Sequence, residues 1–87
     1  MEDSIVRRVR DYVKATFMYT RPDAELGLEE ALIGSGIVDS MGVMELIEYL
    51  EAEFGIVVGD DEITEENLGT LAAIRAFLLS KGATQAA

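Results

Sequence analysis

Apolar residues return at Ile5, Val6, Val9, Tyr12, Val13 and Phe17, three or four positions apart, with Arg7, Arg8, Asp11 and Lys14 between them. That spacing predicts an amphipathic helix of about four turns, with Asp3 or Ser4 as its N-cap. From Tyr19 to Asp39 no period holds. Pro22, Gly27, Gly34 and Gly36 punctuate this stretch, and Leu26, Leu28, Leu32, Ile33, Ile37 and Val38 are scattered through it. The expectation is a long loop pinned by its apolar side chains, with a short turn of helix at Leu28 to Ile33. Periodicity resumes after Asp39-Ser40. Val43, Leu46, Ile47, Leu50 and Phe54 share one face of a second helix, Glu45, Glu48 and Glu51 lie on or beside another, and Gly55 ends it. Asp39 and Ser40 are both good N-cap types.

Ile56, Val57 and Val58 are β-branched, but one isolated strand has nothing to pair with, so an extended segment packed on the core is expected. Gly59 to Ile63 reads as an acidic turn. Thr64 then caps a brief helix with Glu65 and Glu66 in its first turn, and Gly69 breaks it. Thr70 opens a last helix that turns Leu71, Ile74, Phe77 and Leu78 inward, with Lys81 near its end and Gly82 as its stop. The tail from Ala83 to Ala87 is expected to fray. The fold class is therefore all-α: a small antiparallel four-helix bundle, three main helices plus one short helix, with a long loop between helices one and two. Residues 1–87 are expected to form a single domain with an ordered core of about 4–81.

Composition narrows the chemistry. A chain of 87 residues holds one small core, which excludes a two-lobed enzyme, and its uncharged apolar runs are far short of the roughly 18 residues that cross a bilayer. With no cysteine there is no disulfide, thiolate metal site or cysteine nucleophile; with no histidine the usual general base and zinc ligand are missing too. No Asp-x-Asp-x-Asp-Gly calcium loop is present, so neither a metal site nor catalytic residues are expected. The N-terminal Met1-Glu2-Asp3-Ser4 lacks the basic and apolar regions of a secretory signal, and the expectation is a cytoplasmic protein.

The net charge is −10, and fourteen of the seventeen acids but none of the seven bases fall between Pro22 and Ile74. Such a field repels nucleic-acid phosphates and anionic headgroups, and it favours basic patches on protein partners. A solvated acidic surface that keeps the chain soluble is the plainer use of the same charge.

The candidate chemistry lies at Gly36-Ile37-Val38-Asp39-Ser40-Met41-Gly42-Val43-Met44-Glu45-Leu46. A serine at a helix entrance is ordinarily a cap. Backbone N–H groups there also favour a phosphate, so a phosphodiester on the Ser40 hydroxyl would sit where the helix dipole tolerates it best. Asp39 adds an adverse charge and fits better as a group that positions a metal ion, or the hydroxyl, for a modifying enzyme.

These residues, with Glu45-Leu46-Ile47, Leu50-Glu51, Phe54-Gly55-Ile56, Val58, the Asp60-Asp61-Glu62 turn, Leu68 and Thr70-Leu71, resemble the acyl carrier proteins over roughly Ser4 to Leu79. The resemblance implies a non-catalytic carrier with 4′-phosphopantetheine, drawn from coenzyme A, on the Ser40 Oγ, flanked by Asp39 and Met41. Acyl or aminoacyl groups would ride as thioesters on the arm's thiol, with no protein cysteine to compete. Helix two would be the partner surface through Met41, Met44, Glu45 and Glu48, although core packing is an alternative for Met44 and plain solvent exposure for the two glutamates. An acyl chain would need a pocket among Ile47, Leu50, Ile63 and Leu68. The implied partners are a phosphopantetheinyl transferase, a loading ligase, and a downstream acyltransferase or synthase. A monomer suits such transient docking.

Met41 stands where a leucine is usual, Gly42 follows it, and Gly59 stands where fatty-acid carriers tend to have proline. These departures look more like aminoacyl or specialised carriers than the housekeeping fatty-acid carrier. The alternative is an acidic protein-binding adaptor or inhibitor without a prosthetic group, which accounts for the charge but makes the Asp39-Ser40 setting a coincidence. An enzyme built on paired carboxylates has no histidine and little room for a cleft.

Overall fold

The sequence periods become four α-helices in the computed structural model, which describes residues 4–20 and 23–82. In chain order they are α1 (Ser4–Phe17), α2 (Ser40–Phe54), a single 3-10 turn (Asp60–Glu62), α3 (Glu65–Leu68) and α4 (Leu71–Ser80). No strand forms among the described residues. Three long helices and one short one match the expected bundle.

Each boundary has a local cause. Thr64 Oγ1 accepts the Asn67 N–H at 3.2 Å and Thr70 Oγ1 accepts the Ala73 N–H at 3.0 Å, so both predicted caps hold. Gly55 closes α2 at a φ of 68°, a left-handed value that a Cβ would strain. Ser4 is the first helical residue of α1; Asp3, the other cap candidate, and the tail Ala83 to Ala87 lie outside the described residues.

α1 and α2 run antiparallel. Arg8 Nε donates to Glu53 Oε2 at 3.0 Å, Tyr49 OH to the Arg8 carbonyl at 3.1 Å, and Tyr12 OH to the Glu45 carbonyl at 3.2 Å, so positions fall along α2 as they rise along α1. Between the helices the Tyr12 and Tyr49 rings stack 4.0 Å apart, and the Arg8 guanidinium lies 4.5 Å over the Phe54 ring. Behind this seam Ile5, Val9 and Val13 of α1, Leu46 and Leu50 of α2, Leu68 of α3, and Leu71, Ile74 and Leu78 of α4 are buried in one cluster. Each such side chain stabilises the fold by about 1.5–3 kcal/mol through its removal from water.

The long loop departs from expectation in one respect. No helical turn forms at Leu28 to Ile33; the chain makes separate turns, with Glu30 N–H bonded to the Gly27 carbonyl and Gly36 N–H to that of Ile33. The reason is tertiary. Leu32 N–H donates to the Gly69 carbonyl at 2.7 Å, and the Leu28 carbonyl accepts the Ala72 N–H at 3.0 Å. Backbone groups engaged with the α3–α4 junction are unavailable for a helix of their own. Met18, Leu26, Leu32 and Val38 are buried, so the loop is pinned as its apolar residues implied. After α2, Ile56 is buried and Val57 exposed, an extended segment with one edge on the core.

Candidate functional site

Val38 delivers the chain to the site. Its side chain is buried and its N–H donates to the Leu32 carbonyl at 3.0 Å, so the loop is held just before α2 begins. Asp39 then has extended backbone, its Oδ1 accepts the Gly42 N–H at 2.7 Å and its carbonyl accepts the Val43 N–H at 2.9 Å. Asp39 is therefore the N-cap, which decides between the two candidates. Its carboxylate satisfies an otherwise orphan donor and complements the positive end of the helix dipole.

Ser40 is thereby freed from capping. It is the first residue of α2, it is exposed, and its hydroxyl makes no hydrogen bond among the described residues. Such a hydroxyl is open to a large modifying enzyme, and a phosphate bonded to it stays at the end of the helix where anions are tolerated. The residues present fit a covalently attached phosphopantetheine.

Beneath Ser40 the backbone is tightly packed. Gly42 is buried, and a Cβ there would lie 2.7 Å from Phe17 Cε1, 3.2 Å from Asp39 Oδ1 and 3.3 Å from Val38 Cγ1. The end of α1 thus presses its Phe17 ring against the first turn of α2, an approach that only glycine permits without displacement. Sequence reasoning noted Gly42 only as a departure and missed Phe17's part in it. A glycine in the first turn of a well-capped helix was the available signal.

On the outer side, Met41 is 82% and Met44 54% exposed, and Glu45 and Glu48 are exposed as well. The structure thus brings Ser40, Met41, Met44, Glu45 and Glu48 to one end and side of α2, and it overturns core packing for Met44. Glu51, the next acid along, is occupied: its Oε2 accepts the Val58 N–H at 2.9 Å and ties the extended segment to α2. Partial burial, and the field of Glu45 and Glu48, push the Tyr12 phenol above its ordinary range.

The four residues of the expected acyl pocket lie elsewhere in character. Ile47, Leu50 and Leu68 are buried and Ile63 is packed against them, all within the common core. Surface hollows of about 350 and about 420 Å³ flank α1 instead, the first lined by Arg10, Lys14, Glu25, Leu26 and Gly27, the second by Asp11, Lys14, Ala15 and Tyr19. No cluster of acids suited to a metal occurs among the described residues.

Comparison with known proteins identifies the family. Residues 7–78 match the family model described as a phosphopantetheine attachment site, a span that includes all of α2 and its cap. The chain belongs to the acyl carrier protein family. This carrier is 30% identical over 78 residues to Aminoacyl carrier protein 2 of Bradyrhizobium diazoefficiens, a match that covers 90% of the chain and 86% of that relative. Family membership makes phosphopantetheine its prosthetic group and makes the protein a carrier, with no catalytic role of its own. It also implies encounters with enzymes that modify and load it, and lends no support to an adaptor without a prosthetic group. Among the described residues no helix of the carrier is long and apolar enough to cross a membrane.

Proposed function

We propose that the carrier bears 4′-phosphopantetheine on Ser40 Oγ and presents aminoacyl groups to partner enzymes from the end of α2. The observation that carries this reading is the exposed, unbonded Ser40 hydroxyl, left free because Asp39 takes over the cap. When bound, the arm supplies a terminal thiol on which an acyl or aminoacyl group is held as a thioester. The chain's own residues do the rest. Asp39 keeps the first turn of α2 intact under the attachment atom, and Gly42 with Phe17 braces that turn from below. Met41 and Met44 offer adaptable apolar contact, while Glu45 and Glu48 attract lysine and arginine side chains of a transferase, a loading ligase and a downstream acyltransferase or synthase.

Aminoacyl cargo is favoured over a long fatty chain by two observations. The relative's name specifies an aminoacyl carrier. Leu50 and Leu68 are fully buried and Ile47 nearly so, hence a long chain would have to displace packed side chains, whereas a short polar group needs no such space. The wider expectations remain those of the sequence: a cytoplasmic monomer whose residues 1–87 act as one domain.

Intact mass before and after incubation with coenzyme A and a broad-specificity phosphopantetheinyl transferase tests the assignment. The expected result is gain of one phosphopantetheine by the native chain and none by Ser40→Ala. Equal gain by Ser40→Ala, or none by a folded and previously unmodified native chain, overturns it.

A further inference from the structure

The chain's sulfur is confined to methionine, for it has four methionines and no cysteine. Burial divides the described ones sharply. Met18 is 2% exposed, whereas Met41 and Met44 are 82% and 54% exposed. The exposed pair lies three residues apart on α2, on the turn that begins at Ser40 and directly ahead of Glu45 and Glu48. Nothing in the packing of the bundle requires large apolar side chains there.

We propose that Met41 and Met44 form a peroxide-sensitive modification site whose oxidation weakens engagement of the carrier by its modifying enzyme, a reading that rests on Ser40 as the attachment residue. The reaction is a two-electron oxygen transfer. The thioether sulfur attacks one peroxide oxygen, the O–O bond breaks, an S–O bond forms, and the other oxygen leaves as water after proton transfer. Sulfur is oxidised to the sulfoxide and hydrogen peroxide is reduced. The product replaces a soft apolar contact with a strongly polar, hydrated S=O group, which a partner must strip of water to bury. Because susceptibility follows exposure, Met41 reacts first, Met44 next, and Met18 last. The carrier's helices survive, because neither reacting side chain belongs to the buried cluster. Thiol-dependent methionine sulfoxide reductases can reverse the change.

The experiment treats the native apo chain with hydrogen peroxide, locates sulfoxides by peptide mass mapping, and compares initial rates of phosphopantetheine transfer from coenzyme A before oxidation, after it, and after enzymatic reduction. Helicity is followed by circular dichroism throughout. The expected result is oxidation of Met41 and Met44 ahead of Met18, a loss of about tenfold in rate at low carrier concentration, and recovery on reduction. A Met41→Leu, Met44→Leu chain retains Met1 and Met18, and the ratio of its own rates with and without peroxide should stay near one, whatever its starting rate. An unchanged native rate with both sulfoxides in place overturns the proposal, as does equal inhibition of the double variant. Failure of the untreated native chain to accept phosphopantetheine would count against Ser40 itself, and so is a separate outcome.

Discussion

Replacing Gly69 with alanine sets two arguments of opposite sign against each other. Gly69 follows α3 at φ −76° and ψ −21°, right-handed values that any residue adopts. On backbone entropy alone, Gly69→Ala should stabilise the protein by about 0.4–1 kcal/mol. The packing says otherwise. Gly69 is buried, and an added Cβ would fall inside van der Waals contact with the Glu65 carbonyl oxygen and 3.2 Å from its carbonyl carbon. Backbone cannot swing aside as a side chain can, and overpacking of this kind costs about 1–3 kcal/mol. Any shift also strains the bonds made on either side of the residue, Gly69 N–H to the Glu65 carbonyl at 2.8 Å and Leu32 N–H to the Gly69 carbonyl at 2.7 Å, and the net worth of one such bond is about 1 kcal/mol. The balance is a loss of about 2 kcal/mol, which for a domain of this size lowers the Tm by about 8–16 °C. Thermal melts followed at 222 nm, with urea titrations for free energy, measure it directly. Gly27→Ala is the control: nothing lies within 4 Å of its Cβ position, so only the entropy gain remains, and its stability should hold or rise by up to about 1 kcal/mol. A Gly69→Ala chain as stable as the native one, or more so, would refute the packing argument and leave entropy in charge.

Other expectations concern charge. Glu62 accepts Lys81 Nζ at 2.8 Å and the Gly59 N–H at 2.9 Å, and these donors, the lysine first, hold its carboxyl below the usual range. Its contribution is therefore present above the unfolded value of about 4.5 and is lost as pH falls through the lower folded value; Glu62→Gln should flatten the acid limb of a Tm-against-pH curve, and an unaltered limb would count against the contact. Burial raises the phenol pKa of both Tyr12 and Tyr49, so their contribution is complete below about pH 10 and fades as pH rises through the higher folded values. Tyr12→Phe should titrate in the ultraviolet with one late-ionising tyrosine fewer than the native chain. Glu45, Glu48 and Glu51 repeat at a three-residue spacing on α2, where each like-charged neighbour costs roughly 0.2–0.5 kcal/mol, so added sodium chloride or millimolar magnesium should raise the Tm; a melt indifferent to both would refute the repulsion.

Much of this was legible beforehand because it is local. The three-and-four spacing of apolar residues placed α1, α2 and α4 within a residue or two of where they lie, and Thr64 and Thr70 marked starts that their side chains make by bonding three residues ahead. Gly55 marked a stop through a backbone conformation open mainly to glycine. The loop between α1 and α2 was legible only as a loop. Its apolar residues told that it is pinned, but the partners of Leu28 and Leu32 lie about forty residues further along, at Ala72 and Gly69, and no local pattern encodes such a pairing.

The site divides along the same line. Sequence by itself determined its residue types: a serine beside an acid at a helix start, two methionines and two glutamates on the following turns, and a chain without the histidine or cysteine that most catalysis would need. Local chemistry suffices for those, because capping, helical spacing and net charge depend on neighbours within a few positions. The structure showed which of the two cap types makes the local bond, Asp39 leaving Ser40 free, and tertiary packing alone decided that Met44 faces solvent and that the Phe17 ring closes on Gly42. Those last two outcomes depend on which face of α2 the rest of the bundle covers, and that is settled by the burial of side chains far apart in the chain, through contacts whose energies no single segment contains.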